Sequence, residues 1–400
     1  MIKVTNDSSI TSKRPARMLT GLRSVQTHGC KVMLEDGRWY VDWQMGLHGA
    51  IYGYRPGWWI DAIRWAADES CANSFGCRDE RIVAEMLGEF YPDIEAVRFM
   101  LNGSDPCAAA VKLARAVTGR DKILVYGYHG TCSAYASPPT AFDADDNRRG
   151  TLEAEREAFV PLGWTDRIQG KTDQYPVLGL PQLRDELAAV IVECPPIDGG
   201  REKAAEWLHW LATWAHTSGA LFVLDEVVTG FRYGPGGAAE YYGLQGLVDL
   251  YCFGKTLGNG YPVAALAGKQ AIMKELAGEP GKGLVHYSGT FFAEPIGMAV
   301  ARAFLRQLRE EPPWDYLRYI GEVLVDNWNL LGTTWKLQGH PTRPVLVGDK
   351  RLSEDITPLR RHLFARGHIV VEHPWYVSTA TDQEDIDSLL ENFEYDDEGD

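Results

Sequence analysis

The run Leu221-Phe222-Val223-Leu224-Asp225-Glu226-Val227-Val228-Thr229-Gly230 decides the architecture. Four apolar residues lead into an acid and then a turn, so the run predicts a buried strand that presents Asp225 at its carboxyl end. A continuous apolar strand of this kind suits a sheet covered on both faces, and open α/β sheets gather their ligands outside such strand ends. Just upstream, Glu202 to Thr217 spaces Trp207, Leu208, Leu211, Trp214 and Ala215 along one face of a helix, and those tryptophans are expected in the core. Further upstream the pattern predicts a helix over Arg81 to Phe90, a strand over Ala96 to Met100, a helix over Cys107 to Val117, and strands over Lys122 to Val125 and Leu187 to Val192. Downstream, Leu250 to Phe253 is another short strand, and Val300, Phe304 and Leu308 mark a helix after Gly297. Strands alternating with helices argue for an α/β fold with a central, mostly parallel sheet flanked by helices.

The two ends of the chain read differently. Cys30 to Asp36 and Gly37 to Asp42 are short alternating runs around an Asp-Gly turn, which signals a hairpin. Ser137 to Gln182 has little periodicity and predicts long loops with one strand near Ala158 to Val160. The pair Pro312-Pro313 marks a boundary. The expected organisation is therefore an N-terminal segment over residues 1–70, a large domain over 71–310, and a C-terminal segment over 311–400. The two terminal segments together are expected to build a smaller α+β domain.

With 400 residues, 45% of them hydrophobic and 24% charged, the chain can bury a sizeable core. Its 55 acidic against 40 basic residues give a formal charge of -15, without a concentrated basic patch, which disfavours nucleic acid and anionic membranes as partners. Seven scattered cysteines with no C-x-x-C pair read as reduced thiols, and no metal is expected. The first 17 residues are polar and mixed in charge, and no run approaches the roughly 20 apolar residues of a membrane span, so a cytoplasmic protein is expected.

Thirty positions after Asp225, Gly254-Lys255-Thr256-Leu257-Gly258-Asn259-Gly260 sets a lysine between a strand and a glycine-rich turn. Small and apolar neighbours around an amine favour the neutral form that attacks an aldehyde. Paired with Lys255, an acid at Asp225 can hold a protonated pyridine nitrogen, and the two together point to pyridoxal phosphate (PLP). Asn102-Gly103-Ser104-Asp105, between a strand and a helix, is a cradle for a phosphate dianion. Tyr126-Gly127-Tyr128-His129-Gly130 brings an aromatic ring to a strand end, where it can stack on a flat cofactor, and Tyr287-Ser288-Gly289-Thr290-Phe291 offers another hydroxyl. Each piece alone has an ordinary structural reading, since such residues also cap helices or fill cores.

Together the stretches NGSDPCAAAVKLARAVTGRDKI, YGYHG, LDEVVTGFR followed by YYG, FGKTLGNGYPVAALAGK and SGTF resemble the class III aminotransferases, most closely their glutamate-1-semialdehyde 2,1-aminomutase branch. The resemblance spans roughly residues 20 to 310. It implies a fold type I PLP enzyme and, for particular residues, particular roles. Gly103 and Ser104 match the phosphate loop, Tyr128 the ring stacked on the pyridine, and His129 its neighbour. Asp225 matches the partner of the pyridine nitrogen, Val227 the residue on the opposite ring face, Lys255 the Schiff-base lysine, and Glu193 a site glutamate. Thr290 matches the residue that reaches the phosphate of the neighbouring subunit's cofactor, implying a homodimer with shared sites. The activity implied is transfer of an amino group between a small amine or amino acid and a keto or aldehyde acceptor. The alternatives are an intramolecular aminomutase, a racemase or epimerase, and a non-catalytic binding protein on the same fold. The family's S-G-T-E-A reads here Gly103-Ser104-Asp105-Pro106 after Asn102, so the acid is one methylene shorter and a proline follows it.

Overall fold

The computed structural model describes residues 21–131, 151–162, 183–194, 200–277, 284–333, 335–348, 356–370, 375–391 and 393. The chain divides into two compact units, Met1–Gly57 with Pro313–Asp400, and Trp58–Pro312. In the smaller unit, β1 (Ser24–His28), β2 (Lys31–Leu34) and β3 (Trp39–Asp42) form an antiparallel meander, and His368–Ile369 adds in parallel beside β3. The expected hairpin is β2–β3, paired Lys31 to Val41 and Met33 to Trp39. Gly37 turns the chain at φ +79°, where a side chain is disfavoured. Two longer helices, Trp314–Leu330 and Gln383–Leu390, belong to the same unit. Asp382 starts the second by accepting the amide of Asp385 at 3.0 Å.

The larger unit is built on seven strands: β4 (Ala96–Met100), β5 (Lys122–Tyr126), β6 (Phe159–Pro161), β7 (Leu187–Glu193), β8 (Leu221–Asp225), β9 (Leu250–Phe253) and β10 (Ala264–Gly268). Their order is β4-β10-β9-β8-β7-β5-β6, and β10 alone runs against its neighbours. All seven residues of β7 are buried, as a central strand covered on both faces requires. The helix Ser104–Thr118 lays Cys107, Ala109, Ala110, Val111, Leu113 and Ala114 into the main core with Ile191 and Val223. On the helix Arg201–Thr217, Trp207, Leu208, Leu211 and Ala215 are buried as the spacing predicts, and Trp207 meets Tyr126 edge-on at 4.8 Å. Trp214 is only half-buried, stacked with Trp210 at 6.4 Å.

One segment differs from its sequence reading. The strand expected near Ala158 is β6, but a helix, Glu153–Ala158, precedes it where loops were expected. Six residues are too few to show a helical period, and the local signal is the Glu155 carboxylate, which accepts the Leu152 amide at 3.4 Å. The remainder of the expected loop region, 137–150 and 163–182, lies outside the described residues.

The consequence for function is directional. The carboxyl ends of β4, β5, β7, β8 and β9 share one edge of the sheet, and the chain leaves them at Leu101, Gly127, Cys194, Glu226 and Gly254. Because Ile191 is fully buried in β7 at the centre of this sheet, Ile191→Ala should cost about 2–5 kcal/mol, read as a lower urea midpoint for unfolding of the larger unit.

Candidate active site

At the carboxyl edge, Glu193 pairs with Asp225 across β7 and β8, and Asp225 with Cys252 across β8 and β9. The Asp225 carboxylate is buried and accepts three hydrogen bonds. Its Oδ1 accepts the Val227 amide at 2.9 Å, and its Oδ2 accepts His129 Nδ1 at 2.7 Å and the Cys107 thiol at 3.4 Å. The other ring nitrogen of His129 lies 3.0 Å from the Tyr126 carbonyl oxygen. Both nitrogens therefore face groups that only accept, so both carry protons and the ring is an imidazolium. Burial works against that charge. The hydrogen bond and the charge of Asp225, with a smaller contribution from Cys107, overcome it and push His129 up to about 10. Cysteine, histidine and aspartate are also metal-binding types, and these three meet within 4.8 Å, but at 2.7 Å the gap between Nδ1 and Oδ2 is closed by a proton.

The segment leaving β4 lies against Val227. A Cβ on Gly103 would stand 2.7 Å from Val227 Cγ1, so a side chain there would push the two apart. Gly254, the residue before Lys255, also packs here: its own Cβ would come within 3.2 Å of Gly103 Cα and 3.4 Å of Val227 Cγ1. Gly103, Val227 and the approach to Lys255 are thus in contact. Ser104 opens the helix Ser104–Thr118 and gives its amide to the Asn102 side chain at 3.0 Å. Its hydroxyl accepts the Thr131 amide at 3.0 Å, and Gly130, at φ +96°, leaves it room. The shorter acid Asp105 turns back to accept the amides of Asn102 and Leu101 at 3.0 and 3.3 Å, and Pro106 sits in the first turn of the helix, where its missing N–H is not needed.

Beyond β5, Gly127 at φ +101° backs onto Glu193, whose carboxylate accepts the Tyr128 amide at 3.3 Å. Tyr128 is half-buried and His129 fully buried. Lys255, half-buried, begins a one-turn 3-10 segment, Lys255–Gly258, with the left-handed φ of +40°. Thr290 is exposed and, among the described residues, makes no hydrogen bond to the others. The chain therefore brings together Gly103, Ser104, Tyr128, His129, Glu193, Asp225, Val227 and Lys255, and leaves Thr290 at the surface.

Three contributors carried no assignment in the sequence reading. Cys107 is one helical turn from Ser104, and that spacing was its only signal. Gly130 and Thr131 complete the seat of Ser104. Glu226 follows Asp225 but turns elsewhere, accepting the Thr229 hydroxyl and the amides of Ala238 and Ala239 at 3.1 and 2.8 Å. Burial pushes its carboxyl up to about 7.

Residues 11–336 match the family model for class-III aminotransferases. The chain belongs to that family. Among its relatives, the glutamate-1-semialdehyde 2,1-aminomutase of Methylacidiphilum infernorum is 31% identical over 304 residues, 74% of this chain and 67% of that one. The enzyme of the same name from Aquifex aeolicus is 28% identical, covering 92% of this chain and 90% of its own. A solved transaminase with PLP bound superposes with a TM-score of 0.78 at 23% identity, covering 92% of this chain and 88% of that one. As a class-III aminotransferase of fold type I, the chain uses PLP. The residues fit that group: an amine at Lys255, a buried carboxylate at Asp225, and the N-terminal backbone of a fifteen-residue helix at Gly103 and Ser104.

Two consequences can be measured. Gly103→Ala should destabilise the protein by about 1–3 kcal/mol through the clash with Val227, and adding Val227→Ala should return part of that loss in a thermal melt. His129 titrates at about 10 in the fold against 6.5 free, so its contribution is full below about pH 6.5 and is lost as pH rises toward 10. The stability gap between wild type and His129→Asn should therefore be wider near pH 6 than at about pH 10 in denaturant titrations.

Proposed function

We propose that this chain transfers an amino group between a small amine or amino acid and a keto or aldehyde acceptor. The observation that carries the reading is the contact of Gly103 with Val227 and Gly254, beside the buried His129–Asp225 pair, at the carboxyl edge of the sheet. Bound PLP supplies an aldehyde that captures amines and a pyridine ring that takes up negative charge.

In this reading the Gly103 and Ser104 backbone and the Ser104 hydroxyl bind the phosphate. Tyr128 and Val227 would hold the ring, and Glu193 fixes the Tyr128 backbone. Asp225 would keep the ring nitrogen protonated, and the His129 imidazolium steadies its carboxylate. Lys255 would hold the cofactor through its amine and would be the group that carries a proton to and from the substrate carbon. Thr290, exposed on a single chain, is assigned to the phosphate of a neighbouring subunit, which makes the working form a homodimer. Residues 71–310 would serve the cofactor, and most of the helix Gly57–Glu69, within the expected 1–70 segment, belongs to the same larger unit. Among the described residues no helix is long and apolar enough to cross a membrane, and the reading places the enzyme in the cytoplasm, working on small molecules rather than nucleic acid or lipid.

A second reading, an intramolecular aminomutase, is favoured by the names of the Methylacidiphilum and Aquifex relatives. One experiment separates the two. Holoprotein is given single amines with no carbonyl partner: a transaminase releases at most one equivalent of carbonyl product per site and stops, whereas a mutase continues on one compound. Lys255→Ala should slow either reaction by about 10²–10⁴-fold. Wild-type protein that retains no PLP through gel filtration would overturn both readings.

A further inference from the structure

Lys255 adopts φ +40° with a side chain attached, a conformation unfavourable for an L-residue that surrounding structure has to impose. Within the turn, Leu257 N donates to the Gly254 carbonyl at 2.9 Å, Asn259 N to that of Thr256 at 2.8 Å, and Gly260 N to that of Lys255 at 3.2 Å. These bonds set the shape of the turn but not its place in the protein. A tie from outside comes from a residue 199 positions away: the Trp59 indole N–H donates to the Gly258 carbonyl at 3.0 Å. That carbonyl already accepts Tyr261 N at 2.9 Å, so both of its lone pairs are used. The Gly258 backbone has little freedom to leave the donor, because a Cβ there would stand 2.7 Å from Val263 Cγ1.

The donor is held as firmly as the acceptor. Trp59 lies in the first turn of the helix Gly57–Glu69, meets Tyr261 edge-on at 6.3 Å, and follows Trp58, which packs on Phe304 of the helix Pro295–Glu310 at 6.4 Å. We propose that Trp59 is a positioning residue for Lys255, its indole N–H fixing the place of the Lys255–Gly258 turn and so of the lysine amine. The proposal rests on the reading of Lys255 as the amine that works on PLP. A displacement of about 1 Å in a reacting group costs orders of magnitude in rate, so a tie on the backbone three residues away has leverage.

Two substitutions separate positioning from packing. Trp59→Phe keeps an aromatic ring and loses the donor. Trp59→His loses the second ring, but its Nε2–H occupies nearly the position of the indole N–H. With the holoenzyme, Trp59→Phe should lower kcat by about three- to tenfold with KM changed less than twofold, and Trp59→His should recover most of that loss although it melts lower. A second readout is the fraction of Lys255 fixed to PLP by borohydride at limiting PLP, counted by mass spectrometry. It should fall in Trp59→Phe and recover in Trp59→His. If kcat and the fixed fraction follow melting temperature instead, with the His variant worse than the Phe variant, Trp59 only packs and the proposal fails. If wild-type Lys255 takes up no PLP at all, the underlying reading fails instead.

Discussion

A buried carboxylate with three donors on it organises this protein. Asp225 stands at the end of a strand buried on both faces, where an unpaired charge would cost several kcal/mol. The chain answers with a cation and two further hydrogen bonds: the His129 imidazolium, the Cys107 thiol and the Val227 amide come from three different segments and converge on two oxygens. Each donor brings its segment with it. His129 ties the exit of β5 to the exit of β8, Cys107 ties the helix Ser104–Thr118 to the same point, and Val227 shapes the turn that lies against Gly103. The edge of the sheet is thus closed around one charge before any ligand is considered.

Such convergence requires backbones to approach more closely than side chains allow. Gly103 and Gly254 meet at Val227, Gly127 lies on Glu193, and Gly130 lies on Ser104; the Cβ positions of Gly103, Gly127 and Gly130 are already filled by the neighbour, and that of Gly254 is tight. The glycines of the YGYHG and NGS stretches therefore answer a packing demand as well as a conformational one: Gly127 and Gly130 also have φ near +100°. Cys107 belongs to the same economy of space. At that point a small, weak donor reaches the carboxylate from within the core, and burial raises the thiol well above its ordinary range, so it donates a hydrogen bond rather than adding a second negative charge.

What was legible in the sequence is what is local. The strand ending in Asp225, the lysine after β9 and the helix carrying Trp207 each announce themselves within ten or so residues, because burial and periodicity are properties of a segment. The family resemblance then supplied roles to individual positions. The reversed strand β10 was not read as a strand, since Ala264 to Gly268 consists of alanine, leucine and glycine, with none of the β-branched or aromatic residues that mark one. The pairing of His129 with Asp225 and the seat of Ser104 under Thr131 join segments 96 and 27 residues apart, and no single segment encodes them. Trp59 is the extreme case. Nothing in the sequence singled it out, and only the fold discloses that its indole N–H serves a turn 199 residues away.

Strain and constraint are distributed unevenly over the site. Asp225 rests on satisfied hydrogen bonds, whereas Lys255 occupies a left-handed conformation of the kind that costs an L-residue about 1–2 kcal/mol. Such a residue relaxes unless its surroundings over-determine it. Here the turn is stapled at both ends: Gly254 is wedged between Gly103 and Val227, and the Gly258 carbonyl is held by two donors. The residue proposed to carry the chemistry is thus the one whose backbone departs from its preferred conformation, and the acid at the end of the neighbouring strand is the one whose backbone does not. A rigid acid and a lysine on a short, strained, doubly pinned turn suit the roles proposed for them, one group holding a proton and the other moving it.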